Sequence, residues 1–134
     1  VTEEALMHHP EETRKQLRLL RNLGVRVALD DFGSGACSLS YLRDLELDTL
    51  KIDRHLIARL PHSSRDAALV RNVIDLCKQY GLLIVAEGVE TVAQYEWLQA
   101  HGCEYVQGFL VARPMIAEEV TDFVQPFDWN ALSL

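Results

Sequence analysis

The sequence predicts an α/β fold of parallel strands alternating with helices, and three observations carry that prediction. Apolar runs recur at Val25–Leu29, Leu47–Ile52 and Leu82–Ala86, with a weaker one at Tyr105–Val106. Each run ends in charged or amide residues, often with a glycine close behind: Asp30-Asp31-Phe32-Gly33, Asp53-Arg54, Glu87-Gly88 and Gln107-Gly108. Helical patterns with their own start and stop signals lie between the runs. Strands covered by helices on both faces read as continuous apolar stretches, and α/β proteins gather their chemistry at the carboxyl ends of such strands.

The elements follow in order. Pro10 to Leu23 has proline and acids at its start, basic residues later and Gly24 just past its end, which suits both helix boundaries and the helix dipole. The first strand follows over Val25–Leu29, and a short helix is expected over Leu39 to Leu45. After the second strand, Asp66 to Tyr80 carries Leu69, Val70, Val73, Ile74 and Cys77 on one stripe and stops at Gly81. The third strand leads into a helix over Thr91 to Ala100, with Val92, Tyr95 and Leu98 for one face and Gly102 closing it. The fourth strand is followed by a last helix over Ala117 to Val124, and residues 125–134 read as a tail or docking segment. Alternation of this kind implies parallel strands joined by right-handed crossovers.

A chain of 134 residues is one domain's worth, and 49% hydrophobic with 25% charged residues is an ordinary globular balance. The formal charge of −7 argues against a nucleic-acid polymer as partner, since that needs a basic surface, but allows a small anionic ligand held by a metal and a few cations. No stretch is long enough to span a bilayer, and the start carries no signal-peptide pattern. Cys37, Cys77 and Cys103 are odd in number and widely spaced, which suggests neither a disulfide framework nor a Cys-x-x-Cys zinc site and points to a reduced, cytoplasmic setting.

Asp30 and Asp31 are the most informative pair. Successive strand side chains point to opposite faces, so the two carboxylates are expected to converge only where the strand has ended and the backbone turns, helped by Gly33 and Gly35. Two carboxylates at the rim of an apolar strand repel each other unless a cation sits between them, which reads as a metal site. The plainer reading is a helix cap or an Asx turn. Lys51 alone reads as a surface lysine or a partner of Asp53, Glu87 as a helix-start charge, and Gln107 as a strand-end amide. The five histidines lack ligand spacing beside the carboxylates and read as solvated or packing residues.

At these residues the chain resembles the C-terminal half of an EAL domain, the bacterial phosphodiesterase domain that hydrolyses cyclic di-GMP. The resemblance rests on Asp-Asp-Phe-Gly-Ser-Gly at 30–35, Ser-Leu-Ser-Tyr-Leu at 38–42, Leu-Lys-Ile-Asp-Arg at 50–54, Val-Ala-Glu-Gly-Val-Glu-Thr at 85–91, Gly-Cys-Glu-Tyr-Val-Gln-Gly at 102–108 and Arg113-Pro114. It runs from about residue 1 to 124. Glu4-Ala5-Leu6 spells the family's signature letters, but just before the helix ahead of Asp30 rather than on an early strand, and is a coincidence. Where family members often carry an aromatic and then a serine, this chain has Ala36-Cys37.

The resemblance implies a TIM-like (β/α)8 barrel of which residues 1–124 form the last four βα units, with one metal-binding glutamate immediately before Val1. It implies a site for two Mg²⁺ or Mn²⁺ ions bound in part by Asp30 and Asp31. Lys51 and Glu87 become catalytic, Gln107 a substrate contact, and Glu3 and Glu90 shapers of the loop after the aspartate pair. Arg54 and Arg113 are available to neutralise phosphate but read more simply as surface or structural cations. The intact domain is expected to hydrolyse cyclic di-GMP to the linear dinucleotide, and a non-catalytic receptor for the same ligand is the alternative. This chain alone is expected to be inactive and to pair as a homodimer, because a half barrel leaves sheet edges and an apolar inner face open. An upstream sensor or a diguanylate cyclase (GGDEF) domain is the expected neighbour in a longer protein.

Overall fold

A computed structural model of the chain describes residues 1–35 and 45–124. The expected helix over 39–45 falls almost wholly outside these residues, as do Ala36-Cys37, the 38–42 motif and the 125–134 tail. Strands β1 (Ala28–Phe32), β2 (Thr49–Ile52), β3 (Leu83–Glu87) and β4 (Tyr105–Gln107) form one all-parallel sheet in the order β1-β2-β3-β4. The order is sequential and never reverses, so this is not a doubly wound sheet. With right-handed crossovers the connecting helices fall on one side of it. Those helices are α1 (Glu3–His8), α2 (Pro10–Asn22), α3 (Arg54–Ile57), α4 (Ser64–Tyr80), α5 (Val92–His101) and α6 (Ala117–Phe123). Among the described residues no helix is long and apolar enough to cross a membrane.

The burial pattern follows from this arrangement. Leu29, Leu50, Ile52, Ile84 and Ala86 are fully buried and pack with Val70, Val73, Ile74, Cys77 and Leu98 in the core. Asp30, Lys51, Val85 and Glu87 alternate with them and remain partly exposed. The expectation of strands buried on both faces is therefore corrected: the helices cover one face, and the second face carries the polar groups.

Three further expectations are adjusted. The first strand begins at Ala28 rather than Val25 and runs through both aspartates to Phe32. Hydrogen bonding decides this: the Asp48 carboxylate captures the Val27 N–H at 2.7 Å, and the ladder starts where Ala28 faces Thr49. Val25 is left exposed in the turn after α2. On α4, Leu69 belongs to the solvent side, because the buried stripe is Val70, Val73, Ile74 and Cys77. Two short helices went unforeseen, α1 and α3, each too brief to show a period. A side-chain cap marks both starts, Thr2 accepting from Ala5 N–H at 3.3 Å and Asp53 from His55 N–H at 2.8 Å.

Two details lock the strand ends that carry the site. Val1 and Thr2 lie parallel along the free edge of β1, where Asp30 N–H donates to Val1 C=O at 2.7 Å. On α5, Thr91 and Gln94 form a reciprocal cap, and the buried Gln94 amide also donates to Ile57 C=O at 3.2 Å, tying α5 to α3.

Candidate metal and phosphodiester site

The site begins with a β-bulge. Leu29 faces Leu50 and Phe32 faces Ile52, so Asp30 and Asp31 together stand opposite Lys51. The extra residue breaks the alternation that would send the two carboxylates to opposite faces. Asp31 absorbs the distortion with φ of 56°, a left-handed conformation that aspartate tolerates better than most residues. The convergence anticipated from the sequence is present, but a bulge within the strand achieves it rather than the strand's end.

Lys51 projects from β2 between two acids. Its ammonium donates to Asp30 Oδ1 at 2.9 Å and forms an ion pair with Glu87 at the end of β3. Single oxygens of Asp30, Asp31 and Glu87 lie within 4.8 Å of one another. The hydrogen bond from Lys51 holds the Asp30 carboxyl below its ordinary pKa, against an opposing contribution from partial burial. Burial by itself pulls the Lys51 pKa down, but hydrogen bonds and charges from Glu87 and Asp30 outweigh it and leave the group raised.

Gln107 faces Glu87 across the β3–β4 register, and its side chain is exposed at the strand end. Asp31, Glu87, Gln107, Arg54 and His55 line an open cavity of about 480 Å³ over the carboxyl ends of the strands. A larger one of about 570 Å³ runs along α2 past Arg14, Arg18 and Leu19, away from the carboxylates. Only the former holds converging acids.

The two loop-shaping candidates part company. Glu3 is 2% exposed at the start of α1, and its carboxylate accepts the Gly33 N–H at 2.9 Å, which pins the chain just after the aspartates. Glu90 is exposed, and its carboxylate makes no hydrogen bond or ion pair among the described residues. Its place is a neighbouring cavity of about 310 Å³ shared with Arg54 and Thr91. Arg113 stacks over Phe109 at 4.7 Å.

Sequence reasoning undervalued Asp53 and His55. Asp53 was weighed only as a partner for Lys51; instead it is buried, caps α3 and binds His55 Nδ1 at 2.6 Å. Asp-x-His at a strand-to-helix junction, where a cap is needed, was the available signal.

Three carboxylates against one ammonium leave a concentrated negative charge of hard oxygen donors, and this donor set fits a divalent cation such as Mg²⁺, Mn²⁺ or Ca²⁺. Such an ion would offset the mutual repulsion of Asp30, Asp31 and Glu87.

The family model described as "EAL domain" matches residues 1–114. Cyclic di-GMP phosphodiesterase NbdA of Pseudomonas aeruginosa is 43% identical over 131 residues, 98% of this chain and 17% of that protein. MucR of the same organism, named a bifunctional diguanylate cyclase/cyclic di-GMP phosphodiesterase, is 47% identical over 120 residues, 90% of this chain and 18% of that protein. The solved MucR phosphodiesterase, a cyclic di-GMP complex, superposes with a TM-score of 0.84, covering 90% of this chain and 49% of that one. BlrP1 of Klebsiella pneumoniae, solved with cyclic di-GMP and calcium or manganese, gives a TM-score of 0.81 at 39% identity, over 85% of this chain and 29% of that one. The chain thus spans about half of the solved MucR phosphodiesterase and under a fifth of NbdA and of full-length MucR.

Proposed function

The chain belongs to the EAL domain family, and on that premise we propose that residues 1–124 form the C-terminal half of a metal-dependent cyclic di-GMP phosphodiesterase domain. The observation that carries this reading is the convergence of Asp30, Asp31 and Glu87 around Lys51. The sequential parallel sheet suits four of the eight βα units of a TIM-like barrel, and solved relatives about twice the length supply room for the other four.

Asp30 and Asp31 would hold the metal ions, Mg²⁺ or Mn²⁺, together with ligands from outside this chain. When bound, the metal lowers the pKa of a coordinated water and neutralises charge on the phosphodiester. Lys51 stays an ammonium between Asp30 and Glu87, fixing both carboxylates and presenting positive charge to the incoming phosphate. Glu87 has the lone pairs to accept the proton of the attacking water, and the Lys51 ammonium orients that carboxylate and the water. Gln107 donates or accepts hydrogen bonds at the substrate's edge. Glu3 holds Gly33 and keeps the aspartate bulge in register. A cyclase domain beside this one, an activity that the name of MucR also carries, or a sensor domain, and a dimeric assembly complete the proposal.

The test joins residues 1–124 to the N-terminal half of the MucR phosphodiesterase domain and follows formation of the linear dinucleotide with Mn²⁺ or Mg²⁺. Turnover is expected, with a loss of roughly a hundredfold or more on Asp30→Asn. Full activity in that variant would sink the assignment. Tight dinucleotide binding without turnover would make the domain a receptor.

A further inference from the structure

We propose that Arg54, with His55 beside it, forms a cationic wall of the same cavity and binds a second phosphate of the ligand, the one not facing the carboxylates. The proposal rests on the reading above for a ligand with two phosphates. Both residues open α3, directly after β2, and face the cavity that Asp31 and Glu87 also line. The position of Arg54 is built rather than incidental. A Cβ at Gly88 would stand 2.5 Å from Arg54 Cβ and 3.3 Å from its Cα, so α3 reaches the end of β3 only because residue 88 has no side chain. That close approach carries the Arg54 stem past the strand end that holds Glu87.

Among the described residues the Arg54 guanidinium forms no ion pair, although three acids, Asp31, Asp53 and Glu87, line the same cavity. A guanidinium fixed at its root and unpaired at its tip is a ready partner for phosphate, which it can grip through two N–H groups. His55 is pinned beside it: Nδ1 lies 2.6 Å from Asp53 Oδ1, and the same oxygen accepts the His55 N–H at 2.8 Å. The buried Asp53 therefore turns Nδ1 inward and leaves Nε2 to face outward. Charge in the cavity is thus divided, with acids suited to metal at the ends of β1 and β3 and the Arg54 guanidinium at the start of α3, where the third acid, Asp53, is taken up by the cap and by His55. A ligand with two phosphates can span the division; a ligand with one cannot engage both sides.

The experiment compares two ligands in Ca²⁺, the ion present with the dinucleotide in a BlrP1 complex. One is cyclic di-GMP, and the other is linear GpG, which has a single phosphodiester. Affinities are measured for the 134-residue chain. Arg54→Met keeps the stem that packs on Gly88 and removes the charge. It should weaken cyclic di-GMP binding roughly tenfold and leave GpG within about twofold, as expected for one charge-assisted contact. Arg54→Lys should recover part of the loss. Equal losses for both ligands, or none for either, overturn the wall, as does a wild-type chain that binds neither. The two proposals fail separately. Turnover in the MucR chimaera with an unchanged KM in Arg54→Met removes the wall and leaves the hydrolase. The expected ligand ratio without turnover removes the hydrolase and leaves the wall.

Discussion

At the scale of single residues, Asp31 carries two penalties for its position: a left-handed backbone and a carboxylate crowded by Asp30 and Glu87. These can be separated. Asp31→Asn keeps a side chain that tolerates positive φ and removes one charge, so the metal-free protein should melt higher, by roughly 1 kcal/mol of stability. Asp31→Ala removes the same charge but meets the left-handed penalty of about 1–2 kcal/mol, and should gain nothing. Thermal melts of the two in chelator settle the point, and a lower melting temperature for Asp31→Asn would contradict it. Lys51 gives a pH prediction. Because Asp30 titrates below its ordinary 3.8, its bond to Lys51 stabilises the fold above that pH and is lost as pH falls through the folded value. Because Lys51 titrates above its ordinary 10.5, the same bond is present below that pH and lost as pH rises through the folded value. The melting difference between wild type and Lys51→Met should hold steady from about pH 5 to 9 and shrink below about pH 3.8. A difference that grew on acidification would show that the bond is not what Lys51 contributes.

At the scale of elements, the strand ends depend on backbone contacts that no periodicity displays. Gly108 sits where a Cβ would fall 2.1 Å from Val89 C=O and 2.3 Å from Val89 N, both backbone atoms unable to move aside. Val89 N–H donates to Gln107 C=O at 3.0 Å, so displacing this contact moves Gln107 itself. Gly108→Ala should therefore lower stability by about 3 kcal/mol or more and disturb the β4 end, measurable by denaturant titration. The helices were legible because caps and amphipathic stripes are local: Pro10, Gly81 and Thr91 marked three boundaries to within a residue or two. The strand limits were less so. Val25 looks like a strand residue by composition, yet pairing to Thr49 starts three residues later, and only the partner strand carries that information. Convergence of Asp30 and Asp31 is legible as a strand end and a turn, whereas the bulge within the strand is not, since register is a property of two strands. Leu69 was misassigned because it borders the buried stripe and only packing tells the flank from the centre.

At the scale of the whole molecule, apolar surface is unevenly placed. Leu19 and Leu23 stand out at the α2 end, at 65% and 80% exposure, while Phe109, Ile116 and Val124 do so beyond β4. Apolar patches at both ends of a parallel sheet favour association despite the charge of −7. The isolated chain should sediment as concentration-dependent oligomers, and Leu23→Lys with Val124→Lys should shift it toward monomer. A monodisperse wild-type monomer at high concentration would refute this. The family was legible at this scale through several motifs in the right order. The Asp53–His55 pairing shows in the sequence only as Asp-x-His, a signal that counts once the strand is known to end at Ile52 and a cap is needed there.

The β1 bulge also has a consequence for how the site tolerates change. A substitution at Asp30 or Asp31 alters one ligand and leaves the count of residues along the strand intact. Deleting either one restores an even ladder against β2, and the carboxylate that remains then obeys strict alternation. The coding sequence at this point is therefore forgiving of letters and unforgiving of length. A deletion scan across 28–33 should show a sharp minimum in folded yield that a substitution scan over the same residues does not.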